Sequence, residues 1–587
     1  MRLYLASALL FLGIPGQMLC QCMLVESPLS ERIENAGIIV EGKVTAQQSA
    51  WNTQHTHIIT TSTIELYKVL KGSLQTDKIQ IECTGGMVDL DREVSSSLLS
   101  LNNGETGLFF CNPTNTGNKY EAYASKQGFI GYNLSENLAY DVFKVYPGME
   151  KLYGLIKTQS HQDIKEIRPL PIPHPSNLRT QGIFINTITP DTISAGTGSV
   201  LTITGSGFGT YKAGSDSLSF RNADDGGASY GPAAEIISWV DDEIKAKVPH
   251  YAGSGKIKIV HSGVSAQGPF LVIPFSNINI SDGKHFSPGY HINQNNGGYV
   301  WSMNKDFKAD AAASAAFYRA FNTWKCTSFL NAQINKNTTN ITTYGADGLN
   351  LIGFASNLPA RVLGECQSFY KGCRDEHDNI TWYLTEMDLV FLSEKDLNTQ
   401  LGLSYEYGPA SPVLTTQLDF ETIIFHELGH VHQLGHTNDK QDMMYYAQSG
   451  GPGGQKRFIS DNDKAGASYI LARDINMKPC SNYPMVLLNS TSCMDNTPVD
   501  VSNEELVVHQ NPFHTSTQVV FYTGKNEQVT ARLFNFMGKE VNKPLKSDMG
   551  SYTYTVNIDD SMGLAEGLYI LGVYIGDEFK SVKLLKY

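Results

Sequence analysis

Phe425-His-Glu-Leu-Gly-His-Val-His-Gln-Leu-Gly-His436 is the stretch on which the reading of this chain turns. On a helix, His426 and His430 are four residues apart and project from one face about a turn from each other, so both imidazoles can reach one ion. Glu427, next to the first of them, can reach a water on that ion without binding the ion itself. His432 faces away from both and reads as a solvated or supporting histidine. A third ligand is needed, and His436, Asp439 and Asp442 are all within reach along the chain. A glutamate about twenty residues downstream would be another solution. None occurs between Glu427 and Glu504, which removes it.

His436 has the spacing of the extended motif H-E-x-x-H-x-x-G-x-x-H, and Met444 follows in Asp442-Met-Met-Tyr-Tyr446. In this order of helix, turn ligand and methionine turn, the segment resembles the metzincin proteases, and the matrixins among them. The resemblance implies a zinc ion on His426, His430 and His436, with Glu427 as general base and Met444 as a hydrophobic floor. Zinc would lower the pKa of its water to about 7 and polarise the peptide carbonyl. Tyr446 stands where some metzincins carry an oxyanion-stabilising tyrosine, with packing as the alternative. Gly450-Gly-Pro-Gly-Gly454 stands where they build the wall of a substrate pocket, a loop expected to be mobile. One position departs from the motif: its glycine is here Gln433, and because positive φ is costly for Gln the helix is expected to run on and turn at Gly435.

Around this stretch, residues 284–475 read as an α/β domain. Ala311–Trp324 is a predicted helix with Phe317, Ala320, Phe321 and Trp324 on one face, Met387–Leu392 a strand, and a further helix begins after Ser460 as N-cap with Asp461 and Asp463 in its first turn. Upstream, Val200-Leu-Thr-Ile-Thr-Gly-Ser-Gly-Phe-Gly209 alternates like a half-buried strand. With Ile188-Thr-Pro190 it resembles an immunoglobulin-like IPT/TIG domain over 183–275, a fold used as a structural arm. Arg168-Pro-Leu-Pro-Ile-Pro-His-Pro175 marks an extended linker, 168–182. Residues 20–167 alternate β-branched and polar residues as a small β-barrel does. Cys20-Gln-Cys22 with Cys83 and Cys111 resembles the netrin-like domain of the tissue inhibitors of metalloproteinases, an OB-type barrel. That resemblance implies the pairs Cys20–Cys83 and Cys22–Cys111. It also implies self-inhibition, should a mature start at Cys20 place its amine and carbonyl on the zinc. A disulfide-pinned barrel without that role fits the same pattern.

The apolar run from Leu3 to Ile14 after Arg2 reads as a signal peptide within 1–19, with a retained anchor as the alternative. No later segment is apolar enough to span a bilayer, so no transmembrane anchor is expected in the mature chain. At the other end, 504–587 is β-rich; Gly567-Leu-Tyr-Ile-Leu-Gly-Val-Tyr574, Lys580-Ser-Val-Lys-Leu-Leu-Lys586 and Asn511-Pro-Phe513 resemble the sorting domain of the type IX secretion system of Bacteroidetes. That resemblance implies the secretion machinery as a partner and release to, or attachment at, the cell surface. An adhesive β-sandwich is the alternative.

The fold class expected is therefore multidomain: an OB/netrin-like β-barrel, an Ig-like β-sandwich, an α/β metzincin catalytic domain and a C-terminal β-sandwich. A net charge of -13 argues against nucleic acid as a partner. Protein or peptide substrates are expected, or, if turnover has been lost, peptide binding by a surface adhesin. Scattered Asp and Asn show no EF-hand loop, so structural calcium is not readable. Of nine cysteines, Cys366/Cys373 and Cys480/Cys493 are close enough in sequence for local staples, leaving Cys326 as the odd thiol.

Overall fold

A computed structural model describes residues 19–21, 24–114, 119–134, 137–171, 182–278, 297–355, 358–478, 480, 484–488, 493, 506–509, 512–522, 528–548, 553–576 and 578–587. The run Leu3–Ile14, residues 172–181 of the linker and Asn511 lie outside these.

Strands Ile38–Trp51, Ile58–Lys71, Lys78–Thr84, Lys119–Ala122 and Thr106–Pro113 pair in that order and close back on the first, forming a five-strand barrel. The period of two in Lys78-Ile-Gln-Ile-Glu82 buries Ile79 and Ile81 inside it. Helix Leu29–Asn35 sets Arg32 beneath the barrel, where its buried guanidinium meets Asp141 at 2.7 Å. Between Thr84 and Thr106 the chain leaves the barrel. Its hairpin Gly86–Val88/Asp91–Ser95 joins another sheet altogether.

Residues 184–271 form two four-stranded antiparallel sheets packed face to face. Alternation in Val200–Ser206 sends Leu201 and Ile203 into their shared core, and Trp239 closes it by donating its indole N–H to the Phe208 carbonyl at 2.9 Å.

The next unit is built on a seven-stranded sheet. Its order is Ala332–Ile334, Tyr299–Met303, Asn350–Phe354, Ile380–Phe391, Gly364–Arg374, and then the hairpin strands Asp91–Ser95 and Gly86–Val88 from the barrel domain. The first four are mutually parallel and Gly364–Arg374 runs antiparallel to its neighbours. Helix Ala311–Ser328, capped by Asp310, buries Phe317, Ala320, Phe321 and Trp324 on one face, as its periodicity requires. Helix Asp461–Asp474 starts at Ser460 with a reciprocal capping box to Asp463. No described helix is long and apolar enough to cross a membrane.

The cysteine expectations need correction. Disulfides join Cys326 to Cys493 and Cys373 to Cys480, and Cys366 is a free buried thiol. Cys366 and Cys373 lie on one extended strand, about 23 Å apart at the usual rise, so they cannot bond. Cys83 and Cys111 are also free, contrary to the expected pairings with Cys20 and Cys22, of which Cys22 lies outside the described residues. The backbone of Leu19–Gln21 pairs instead with Ala447–Ser449, against the seven-stranded unit. Burial pushes the Cys83 thiol up to about 12.

Residues 506–587 form a separate sandwich of a three- and a four-stranded sheet. Its core holds Phe513, Val519, Val556 and Leu571, and the last two strands, Gly567–Ile575 and Glu578–Lys586, pair as a hairpin.

Candidate metal centre

Helix Phe420–Val431 carries the first ligands. Asp419 caps it, its carboxylate accepting from the Thr422 N–H at 2.7 Å and held in turn by Arg457. Every residue of the helix is buried, so it sits inside the domain, packed by helix Ala311–Ser328 and strand Gly364–Arg374. His432 is not solvated: its ring stacks on Trp324 with centroids 4.5 Å apart, its Nδ1 meets the Leu428 carbonyl and its Nε2 the Ser328 hydroxyl at 2.9 Å. It is a packing residue with no part in the ligand set.

The chain does not run on to Gly435. The helix ends at Val431, and Gln433 itself takes φ +57°. Its side chain compensates: the Tyr370 hydroxyl donates to Oε1, and the main-chain N–H of Gln433 donates to His430 O at 2.8 Å. Gly435 serves close approach instead, since a Cβ there would lie 2.7 Å from Ser276 Oγ. This turn returns His436 to the helix face. Gly429 admits Met444 in the same way: a Cβ would lie 2.1 Å from its Sδ. Asp463 accepts from the Met443 and Met444 N–H groups at 2.7 and 3.2 Å, so the first turn of helix Asp461–Asp474 holds the methionine turn in place. Asp442 Oδ1 accepts from Ser460 at 2.8 Å and Asn462 at 3.1 Å, and it is His436, not Asp439 or Asp442, that groups with His426 and His430 as a set able to hold a metal ion.

The ring centroids of His426, His430 and His436 are 4.9, 5.0 and 5.4 Å apart. Among the described residues this is the one group of three or more His, Cys, Asp or Glu whose donor atoms lie within 4.8 Å of each other. Each Nδ1 faces an acceptor that cannot donate: Met443 O at 3.1 Å, Leu434 O at 2.8 Å and Asp224 Oδ1 at 2.6 Å respectively. Each ring therefore carries its proton on Nδ1, leaving the Nε2 lone pairs to converge. His426 and His430 Nε2 are buried with no hydrogen-bond partner, a cost of about 1–3 kcal/mol per group that a bound cation removes. Burial, reinforced by the neighbouring imidazoles, lowers His426 far below its usual range and His430 to about 3. Both are neutral ligands at physiological pH.

Glu427 is fully buried, and burial with the nearby Glu365 carboxylate raises it well above the carboxylate range. Oε1 has no protein partner, while Oε2 accepts from the Ser96 hydroxyl at 3.0 Å. Ser96 comes from the barrel domain's excursion and Asp224 from the Ig-like domain. Neither was visible in the sequence, where they stand far from the motif and carry no pattern of their own. Tyr446 packs beside Gly226 of the Ig-like domain, where a Cβ would lie 2.3 Å from its ring. The glycine loop turns at Gly451 and Gly453, both at positive φ, and the Gly451 N–H donates to Gln417 O at 2.9 Å.

Three imidazoles around a common point beside a buried carboxylate are a donor set that could hold a metal ion. The matching family models agree. Residues 293–471 match the matrixin family model. Residues 184–272 match the IPT/TIG domain model. The chain is thus multidomain and mostly β, with a barrel, an Ig-like TIG domain and a metallopeptidase domain of the matrixin type, a zinc-dependent family. No curated protein matches the chain. Among solved structures it is similar to a protein of unknown function from Bacteroides thetaiotaomicron VPI-5482, at 15% identity, 21% coverage of this chain, 30% of the other and a TM-score of 0.15. The chain thus spans about a third of that protein.

Proposed function

We propose that this chain is an exported zinc endopeptidase that hydrolyses peptide bonds within proteins. The observation that carries the reading is the convergence of three Nδ1-protonated imidazoles beside the unpaired Oε1 of buried Glu427. The donor set fits zinc: three imidazole nitrogens from two histidines on one helix and one after its end. Zinc bound there supplies Lewis acidity toward a peptide carbonyl and a water with a pKa near 7.

Burial and Glu365 disfavour the Glu427 anion, and a cation on the adjacent histidines would restore it; as the carboxylate, Glu427 would take the proton of the attacking water and pass it to the leaving amine. An extended substrate would lie along the edge of Gly364–Arg374 that the hairpin strand Asp91–Ser95 covers in this structure. Tyr446, part-buried beside the methionine turn, is the candidate to stabilise the oxyanion. The N-terminal apolar run and the C-terminal sandwich support export by a signal peptide and sorting through a type IX system, leaving the enzyme secreted or on the cell surface.

The intact ligand set and base favour turnover over the reading of a silent, peptide-binding adhesin. The test is zinc content and peptide-library cleavage by purified full-length protein, wild type and Glu427→Ala, with and without a zinc chelator. Cleavage lost on chelation and in Glu427→Ala is expected. Zinc-loaded protein that stays inert in wild type and also in variants that release Asp91–Ser97 from Gly364–Arg374 would establish the adhesin.

A further inference from the structure

His426 and His430 rest their Nδ1 protons on main-chain carbonyls of their own domain, whereas His436 rests its proton on a carboxylate of the Ig-like domain. The loop that presents Asp224 is fixed from within. Asn222 accepts from the Asp224 N–H at 3.0 Å, Asp225 accepts from the N–H of Ala228 at 2.8 Å, and Gly226 turns at φ +69° where Tyr446 packs. The segment carrying His436 is clamped to the same domain and its exit. Asn438 accepts from the Ser254 N–H at 2.9 Å and donates to its carbonyl at 2.7 Å, Gly435 N–H donates to Ser276 O at 2.8 Å, and Ile278 N–H donates to Gln433 O at 2.8 Å.

We infer that Asp224 is a positioning residue of the metal centre, so that the Ig-like domain completes the zinc site instead of serving as a remote arm. An anionic acceptor fixes the ring's tautomer and orientation and raises its basicity as a ligand, effects that cost about 10- to 100-fold in metal affinity when lost. The inference rests on the zinc reading, and its test separates the two. In the full chain, zinc affinity is read by competition with a chromophoric chelator, and ligand geometry by the visible spectrum of the cobalt(II)-substituted protein. Asp224→Ala should bind zinc about 10- to 100-fold more weakly with an altered cobalt spectrum, and Asp224→Asn, which keeps an acceptor but loses the charge, should fall between. Unchanged affinity and spectrum in Asp224→Ala overturn the inference, including when its melting temperature falls, because that pattern marks a merely structural contact. Wild type that binds no zinc overturns the metal reading itself.

A different observation carries a second inference. Asp91–Ser95 adds to the free edge of Gly364–Arg374 as an antiparallel strand, Ser95 opposite Gln367 and Asp91 opposite Lys371. Past its end, Ser96 N–H donates to Cys366 O at 3.2 Å, Cys366 N–H donates to Ser96 Oγ at 3.0 Å, and Ser97 Oγ donates to Gly364 O at 3.2 Å. Ser96 Oγ also donates to Glu427, on the base's second oxygen. The segment is anchored behind: Glu93 is buried between His57, at 2.8 Å, and Gln367, and Lys126 Nζ donates to Ser96 O at 3.0 Å. Arg361, just before Gly364–Arg374, is ion-paired to Glu31 and donates to Glu26 O at 2.8 Å.

We propose that Asp91–Ser97 holds the folded enzyme latent by occupying the backbone edge and the base that an extended peptide needs. A substrate must displace it, since one strand edge pairs with one strand at a time. The test uses the full chain and two variants of different chemistry. Ser96→Pro removes the donated N–H and the hydroxyl on Glu427, and Val94→Asp places a charge where Val94 packs on the domain core. The probe is a peptide hydroxamate, followed by calorimetry, alongside hydrolysis of a quenched peptide library. Both variants should bind the hydroxamate about tenfold or more tightly than wild type, matching the loss of one to two hydrogen bonds from the occluded state. Equal affinity in all three proteins, whether tight or absent, overturns the proposal. Tightened binding without hydrolysis upholds it and tells against the endopeptidase reading instead.

Discussion

Helix Phe420–Val431 and the segment Gln433–Tyr446 that follows it build one metal site by different means. The helix is buried throughout and by its own spacing sets its two histidines one turn apart, while the carbonyls they meet, Leu434 four residues beyond His430 and Met443 seventeen beyond His426, already belong to the segment after it. The segment after it has no regular structure to fix its third histidine. It depends on Gln433 in a left-handed conformation, on Met444 beneath Gly429, on Asp463 from the next helix and on Asp224 from another domain. The helix places its ligands by local geometry. The segment places its own by contacts that the rest of the molecule must supply, so changes there should act on the metal site through stability and orientation.

Three changes would break or sharpen that contrast. The largest effect belongs to the helix: Glu427→Ala should lower peptide turnover of the opened enzyme by about 10²- to 10⁴-fold while zinc stays bound, measured by turnover beside metal content. Loss of zinc in that variant would mean that the carboxylate holds the site together and does not act as base. Next is the contact between the two regions. Gly429→Ala adds a methyl where Met444 Sδ already lies. The gain of about 1 kcal/mol in helix propensity should be outweighed by about 1–3 kcal/mol of overpacking, so chemical denaturation of the metal-free protein should show net destabilisation. A more stable variant would mean that the methionine turn yields easily. The smallest effect lies in the segment alone. Gln433→Gly relieves a left-handed residue but loses its hydrogen bonds, and should change stability by within about 1 kcal/mol. Gln433→Ala keeps the strain and loses the same bonds, and should be the less stable of the two by about 1 kcal/mol. The reverse order would show that the left-handed conformation at position 433 costs a non-glycine residue little.

Much of this site could be read along the chain because its chemistry is periodic. A spacing of four puts His426 and His430 together on any helix, Asp419 and Ser460 cap their helices through bonds to residues three ahead, and Phe317 to Trp324 fall on one face. The turn was misjudged at Gln433 because backbone cost alone favours Gly435. Gln433 is held by Tyr370 on a strand of the same sheet, and Gly435 is required by Ser276 instead. Cysteine pairing was misjudged for a related reason: closeness in sequence says little when a strand carries Cys366 and Cys373 apart and brings Cys480 to within 5.6 Å of Cys373, Cα to Cα.

What the sequence determined by itself is the helix that carries His426 and His430, the order of His436 and the methionine turn after it, and the alternation that makes barrel and sandwiches. Only the tertiary structure decided that Asp224 supports His436 and that Ser96 lies on Glu427. Those contacts join residues separated by 212 and 331 positions, and no local periodicity encodes which domain surfaces come to rest against one another.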